Sequence, residues 1–520
     1  MDYFLTFIKK NKFEIVFAIC LILTAAFFRL YRIDEYMTFL GDEGRDALIV
    51  GKMLLNFDFP LLGAPTSVGN MYNGPLYYYM MASAMAVWWM NPVAAAIMVA
   101  LIGTATVALV YYLARVWFGK VAAIISATLY ALSPVNIVYS RSSWNPNPAP
   151  FFALLGIIGL YKSYRTKNYL WLIITGGALA FAVQMHLLAL ILIPVYGLIW
   201  LFALKEKIKD KADLRNFWLG LGLAFLTFIF LMSPMAIFDY KYNQQNFNAF
   251  TTFFFGDRAS TVNLNPFNTL ERIVPIYSEN LINRYMAGGN YWLMLLVSLL
   301  VLLPIIIFLV NLIKKRRFSW PYFTLSIWFI GGIMGLALYK QTIYDHYSSF
   351  LNPAIFLLFG SIVNLINSID SKRVNQYVRG AFFLLFLVLV IVNLQLSPSL
   401  SPPNRQLQRT QEVAKFIISQ TGDKPFNFAL IAERNYDAAY QFFLDQYGHK
   451  PGQLPFEKTE QLFVVCEDKI CEPVGHSKFE ISAFGWSKIE WQKESSGVKV
   501  FKLVHNPEAE AAAAAAEAAK

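Results

Sequence analysis

Long apolar runs broken by short polar turns recur from Glu14 to Leu396, after which the pattern of apolar and polar positions becomes that of a water-soluble protein. A run of roughly 20 apolar residues is long enough to cross a hydrocarbon core. Inside lipid every backbone N–H and C=O must bond within its own segment, so these runs predict helices. A membrane β-barrel would show short segments of strict alternation, a pattern not seen here. Between about 400 and 505 the pattern predicts a small α/β module. Phe426–Ala432, Leu462–Cys466 and Val498–Val504 read as strands, and Asp437–Gln446 reads as a helix. From Glu508 the chain is almost pure Ala and Glu. That composition favours a solvent-exposed helix, read as a linker or expression remnant and set aside from functional argument.

The expected fold class is therefore an all-α polytopic membrane protein with a small C-terminal α/β domain. The expected divisions are a membrane domain over 1–398, the α/β domain over 399–506 and the tail over 507–520. Composition agrees, with 57% hydrophobic and only 15% charged residues, against about 25% charged in a typical soluble domain. The net charge of +11 does not point to nucleic acid. The basic residues gather in short turns between apolar runs, which is the pattern of cytosolic loops.

Six basic clusters mark those loops: Lys9–Lys12, Arg115–Lys120, Lys162–Lys167, Lys205–Arg215, Lys314–Arg317 and Lys372–Arg379. Each neighbouring pair must be separated by an even number of spans. Tyr139–Pro150, the turn near His186, the long stretch 239–290 and the turn at Lys340–His346 then fall outside. A last span over about 380–396 places the C-terminal domain outside as well. One interval breaks parity, because three apolar segments (about 14–30, 74–91 and 93–114) lie between Lys12 and Arg115. The segment 74–91 is assigned as a re-entrant or surface helix. It opens with Asn73-Gly74-Pro75 and carries Tyr77-Tyr78-Tyr79 and Trp88-Trp89, side chains that prefer the interface. About eleven spans remain. The alternative is that 74–91 crosses and a weaker run such as 151–161 does not.

The N-terminal run lacks a small-residue cleavage site and is not read as a removable signal. Of three cysteines, Cys20 lies inside the first span. Cys466 and Cys471 could pair if their domain lies outside the cytosol, a question of geometry that sequence leaves open.

The strongest chemical signal is Phe39-Leu40-Gly41-Asp42-Glu43-Gly44-Arg45-Asp46, in a first outer loop of about 31–92. Carboxylates beside hydrocarbon are costly, so their presence hints at function. Asp34 and Glu35 read as solvated loop charges. The apolar run Ala47–Leu55 is expected to form a helix in the interface. A first span ending in Phe28-Arg29-Leu30-Tyr31-Arg32, then this acidic pair and a surface helix, resembles the GT-C membrane glycosyltransferases. Asp42-Glu43-Gly44-Arg45 is similar to the acidic motif of the protein O-mannosyltransferase and lipid A aminoarabinose transferase group. Asn73-Gly74-Pro75-Leu76-Tyr77 is similar to that group's Pro-Leu element, departing from it at Asn-Gly. Ser140-Arg141 with Asn145-Pro146, and Asp345-His346-Tyr347 followed by Pro353, resemble two later elements.

The resemblance implies a glycosyltransferase of a multi-pass plasma membrane, with its site on the extracytoplasmic face and its N-terminus in the cytoplasm. It would move a sugar, with inversion, from a polyprenyl-phosphate donor to a hydroxyl of a glycan, lipid or protein. Asp42 matches the general base, and Glu43 would orient the acceptor or assist. A leaving phosphate needs cations or hydrogen-bond donors. Arg45, Arg141, Arg258, Lys340, His186 and His346 are the candidates, with Asn145, Asp345 and Tyr347 beside them. Arg284 is a further outer cation. Arg141 could instead snorkel toward headgroups. Amides and rings in Tyr242–Phe255 suit either sugar recognition or a helix on the bilayer. No ligand spacing demands a metal, so none is expected to be strictly required, though a divalent ion near Asp42, Glu43 and Asp345 is possible.

Two other readings remain. A lipid-linked glycan transporter or flippase would place charge at mid-membrane and show internal repeats, neither of which is evident. An oligosaccharide transferase or ligase would carry further acidic motifs, and the loop Ser140–Pro150 has none. The parity argument predicts that a cysteine introduced at the Asn91 turn reacts with an impermeant external label; labelling only from the cytosol would contradict it.

Overall fold

The computed structural model describes residues 11–66, 70–207, 211–255, 265–315 and 318–518. Arg258, one of the candidate phosphate ligands, lies outside the described residues, as do Lys9, Lys10, Lys209, Arg316 and Arg317. The chain forms two compact units. One comprises Met1–Tyr31 and Phe59–Pro402; the other joins Arg32–Asp58 to Pro403–Lys520.

The first unit is helical. Among the described residues seven helices are long and apolar enough to cross a membrane: Lys12–Leu30, Pro92–Phe118, Asp213–Lys241, Tyr291–Lys314, Trp320–Leu338, Asp345–Asn367 and Lys372–Gln395. Leu76–Val87, Lys120–Leu132, Trp171–Met185 and Leu187–Ala203 are shorter apolar helices. At 1.5 Å per residue the Leu76–Val87 helix rises about 18 Å, well short of a hydrocarbon core of about 30 Å. The run expected at 151–161 lies inside the helix Ala149–Thr166. Leu219, Phe225, Leu226 and Phe230 are exposed along one long helix, the arrangement expected of a surface solvated by lipid.

Small residues set the helix crossings. A Cβ at Gly176 would sit 2.2 Å from the Ala224 carbonyl oxygen, and one at Gly159 would sit 2.4 Å from Thr175 Oγ1. Backbones approach this closely only where side chains are absent, as is common where membrane helices pack. Asn91 caps the Pro92–Phe118 helix, accepting from the Val93 N–H at 2.9 Å with proline in the first turn. Glu14 is buried against Arg115 and Lys120, so two of the basic residues read as loop charges are ion-paired to the first span.

The stretch 239–290 is largely helical, with Gln245–Phe255, Pro266–Pro275 and a wide-turn helix at Ile276–Ala287. Asp239 Oδ1 accepts from the N–H groups of Asn246 and Phe247 at 2.8 and 3.1 Å. Asn246 Oδ1 in turn accepts from the Tyr72 N–H at 2.8 Å. One amide singled out for sugar recognition is thus spent on the backbone.

The second unit contains the α/β module. Its four strands are β1 Asn427–Ile431, β2 Gln461–Cys466, β3 Ser487–Ser495 and β4 Val498–His505, in sheet order β1-β2-β4-β3. β1 and β2 are parallel and wholly buried, linked across the helix Ala438–Gln446. β3 and β4 form a hairpin through Ser496-Gly497, both with positive φ (49° and 79°), the conformation a two-residue turn requires. Strand β3 escapes the sequence pattern because it is an edge strand carrying Lys488, Glu490, Lys493 and Glu494, charges that guard an edge against pairing. The helix Gln406–Gln420 was also not foreseen. Cys466 and Cys471 are joined in a disulfide.

In the same unit the helix Gly41–Asn56 begins at the acidic run itself, six residues before the apolar stretch expected to be helical. Its glycines allow close packing. A Cβ on Gly44 would lie 2.3 Å from Ala439 Cα, and one on Gly41 would lie 2.3 Å from the Tyr436 ring. Overpacking of this kind costs about 1–3 kcal/mol. Gly44→Ala is therefore expected to speed hydrogen exchange of the Gly41–Asn56 amides in the full chain; unchanged protection would show that the contact yields without cost.

Candidate functional site

The acidic run occupies the first turn of the Gly41–Asn56 helix, where unpaired N–H groups favour negative charge. Glu43 Oε2 accepts from the Leu40 N–H at 3.1 Å, half of a capping box. Its side chain is buried, and burial, assisted by the charges of Asp42 and Asp46, pushes its carboxyl up to about 7. Asp42 points differently. Its side chain is 41% exposed. Its Oδ1 accepts from Arg45 Nη1 at 2.7 Å and from the Tyr436 hydroxyl at 2.7 Å. Arg45 also donates to Tyr436 Oη at 2.9 Å and to the fully buried Asp46 at 2.7 Å. Asn435 Oδ1 accepts from the Gly41 N–H at 2.9 Å. Asp34 is exposed and accepts from Gln408 at 3.4 Å, whereas Glu35 is partly buried and pairs with Arg32 and Arg405.

A second group lies in the helical unit. His186, His346 and Tyr347 come together, with ring centroids 5.7 Å apart between the two histidines and 4.7 Å between His186 and Tyr347. Trp144 packs on His346 at 4.4 Å, with Tyr139 stacked beyond it. Asn145 Nδ2 donates to the Met185 carbonyl at 2.6 Å, tying this loop to the residue before His186. Asp345 is held by Arg284, whose Nη2 lies 2.5 Å from Oδ2. The Lys340 side chain is exposed, and its carbonyl accepts from Arg272 at 2.9 Å.

Arg141 lies inside the helical unit. It is 1% exposed, and its Nη2 donates to the Tyr31 carbonyl at 2.8 Å and to Ser399 Oγ at 3.4 Å. Arg29, at the end of the first span, is fully buried and donates to Ser140 Oγ and to the Ala25 and Ala131 carbonyls. Near these residues lies a narrow cavity of about 20 Å³, lined by Tyr130, Asn136, Tyr139, Ser140, His346 and Asn352 among others. Asn136 Nδ2, Ser349 Oγ and Asn352 Oδ1 are buried at its wall without protein partners. Such atoms need water or a ligand. Among the described residues no three His, Cys, Asp or Glu side chains are grouped to hold a metal ion.

Sequence reasoning missed Tyr436, Asn435 and Arg29 as members of these groups. Arg29 carried a signal, a cation at the end of an apolar run; the other two carried none.

Comparison with solved structures decides the fold. ArnT from Cupriavidus metallidurans bound to undecaprenyl phosphate superposes with a TM-score of 0.59 at 13% identity, covering 95% of this chain and 98% of that one. The chain has the GT-C fold. The archaeal oligosaccharyltransferase AglB from Archaeoglobus fulgidus shares it at a TM-score of 0.53 and 15% identity, over 88% of this chain and 69% of AglB. Residues 50–246 of the chain match the dolichyl-phosphate-mannose-protein mannosyltransferase family. YkcB of Bacillus subtilis, named as a candidate mannosyltransferase, is 25% identical over 204 residues, 39% of this chain. The chain spans 28% of YkcB and 20% of a second Bacillus relative, YycA, with which it shares 29% identity over 139 residues.

The Glu43 shift gives a pH dependence of definite sign. The folded carboxyl keeps its proton to about 7, while the unfolded one loses it near 4.5. Between those values the folded state binds more protons, so stability falls as pH rises through that window. The full effect is about 3 kcal/mol at 1.36 kcal/mol per pKa unit. Protection of the Gly41–Asn56 amides should fall from pH 4.5 to 7 in the wild type and stay level in Glu43→Gln, which keeps the cap; parallel profiles would contradict the assignment.

Proposed function

We propose that the chain is a membrane glycosyltransferase that passes a sugar from a polyprenyl-phosphate carrier to an acceptor hydroxyl, with inversion and with Asp42 as general base. The observation that carries this reading is the Asp42 carboxylate. It is paired with Arg45, anchored through Oδ1 and 41% exposed, while Glu43 beside it is buried as a cap. Of the two acidic residues only Asp42 is available to take a proton. Glu43 therefore acts as a structural support and does not touch the acceptor.

In the reaction the acceptor O–H proton passes to Asp42 as the acceptor oxygen bonds the anomeric carbon. The bond from that carbon to the phosphate oxygen breaks on the opposite face, and its electron pair stays on the phosphate. Bond making and breaking on opposite faces inverts the centre. Charge on the leaving phosphate is met by outer cations and hydrogen-bond donors. The donor class is supported by ArnT having been solved with undecaprenyl phosphate and by a matched family described by a dolichyl-phosphate sugar. The acceptor is a glycan, lipid or protein. Placement of the site on the outer face of the plasma membrane is supported by the distribution of basic loops and by the Cys466–Cys471 disulfide, a bond of oxidising compartments. No metal is assigned to the reaction.

The test is transfer from a panel of undecaprenyl-phosphate sugars to membrane extract, read by mass spectrometry with the purified chain in chelator. Asp42→Asn should leave folding and carrier binding intact and lower transfer about 10²- to 10⁴-fold. Full transfer by that variant would exclude Asp42 as the base, and wild-type activity lost in chelator and restored by a divalent ion would show a metal requirement.

A further inference from the structure

We propose that Tyr436, contributed by the C-terminal α/β module, is a positioning residue for Asp42, locking one carboxylate oxygen so that the other is presented as the proton acceptor. The inference rests on the reading of Asp42 as the base and assigns a task to a module that the sequence left without one.

The two oxygens of Asp42 are not equivalent. Oδ1 takes both short bonds, from Tyr436 Oη and from Arg45 Nη1, each at 2.7 Å. Among the described residues Oδ2 receives no protein donor, and the side chain is 41% exposed. A carboxylate fixed at one oxygen by two donors cannot spin about its terminal bond without breaking both. Its second oxygen then keeps a single direction, which is what a general base needs before the acceptor arrives. Burial pushes the Tyr436 phenol above its ordinary range, opposed by Arg45 and reinforced by Asp42, so it remains a donor at neutral pH.

Tyr436 is itself held. Asn435 Oδ1 accepts from the Tyr436 N–H and from the Gly41 N–H, both at 2.9 Å, so one side chain bridges the residue before Asp42 to the tyrosine backbone. Asn435 Nδ2 donates to Glu467 at 3.1 Å, and Glu467 also accepts from Tyr440 at 2.6 Å and Arg409 at 3.3 Å. Glu467 follows Cys466, so the disulfide closes the turn on which this hub sits. The Tyr436 ring also fills the space above Gly41 where a side chain would otherwise be. The hydroxyl is thus separable from the packing: removing it leaves the ring in place.

The experiment compares wild type, Tyr436→Phe, Asp42→Asn and the double variant as purified full chains. The donor is the undecaprenyl-phosphate sugar that the wild type consumes fastest from a panel of hexose, pentose and aminopentose forms. Tyr436→Phe is expected to lower kcat about 10- to 100-fold, the scale of one lost bond to a charged group, with donor KM and the unfolding midpoint unchanged. In the Asp42→Asn background the same change should cost nothing further, because Tyr436 acts only through Asp42. Full kcat in Tyr436→Phe while Asp42→Asn is inactive would overturn the positioning role and leave the base standing. A loss expressed in KM or in the unfolding midpoint would likewise overturn it, as would an equal further loss in the double variant. Full transfer by Asp42→Asn, or a wild type that consumes no donor, would remove the functional reading beneath it.

Discussion

The structure turns on one small electrostatic arrangement, the first turn of the helix Gly41–Asn56. Three carboxylates and one guanidinium fall within the first six residues of this helix, and each carboxylate is stabilised differently. Asp46 is fully buried and survives because Arg45 reaches it. Glu43 is buried and survives by capping the helix and by holding its proton to near neutrality. Asp42 stays 41% exposed, and among the described residues one oxygen carries its side-chain bonds. Had the three been interchangeable, the turn would repel itself, since like charges at this spacing destabilise a helix. Their division of labour is what allows a charged motif to sit in an ordered, closely packed element.

That turn is built by residues far away in the chain. Tyr436 bonds Asp42 across 394 positions, and Asn435 reaches Gly41 across the same separation. The glycines of the motif belong to this arrangement as much as the acids do. Gly44 lets the helix lie against the Ala438–Ala439 backbone, and Gly41 makes room for the Tyr436 ring. In this account the module of Pro403–Lys520 is part of the apparatus that fixes the carboxylate, and the segment Arg32–Asp58 belongs with it as one compact unit.

Much of this was legible in the sequence, for reasons that can be named. The helical unit could be read because lipid forbids unpaired backbone, so apolar length alone implies helices. Asp42 was singled out because a carboxylate beside such runs is costly and needs a reason. Strands β1 and β2 could be read because they are buried on both faces. Strand β3 could not, since an edge strand is charged in order to stay unpaired. Tyr436 and Asn435 could not be singled out either, because their meaning lies in a contact between distant positions. Arg141 stood out as an unusual cation, and it lies in the interior, 1% exposed. One of its nitrogens donates to the Tyr31 carbonyl. His186 and His346 were both read as outer-side residues, and their rings meet in an aromatic cluster beside a cavity with unpaired amide atoms.

The central claim is that Asp42 Oδ2 is the atom that receives the acceptor proton. The most direct measurement is a structure of the Asp42→Asn chain, trapped with an undecaprenyl-phosphate sugar and an acceptor. The account predicts the acceptor oxygen within about 3 Å of the side-chain atom that replaces Oδ2, and in line with the anomeric carbon and its phosphate oxygen. A donor seated with its anomeric carbon remote from position 42, or an acceptor oxygen bonded to a different carboxylate, would contradict it.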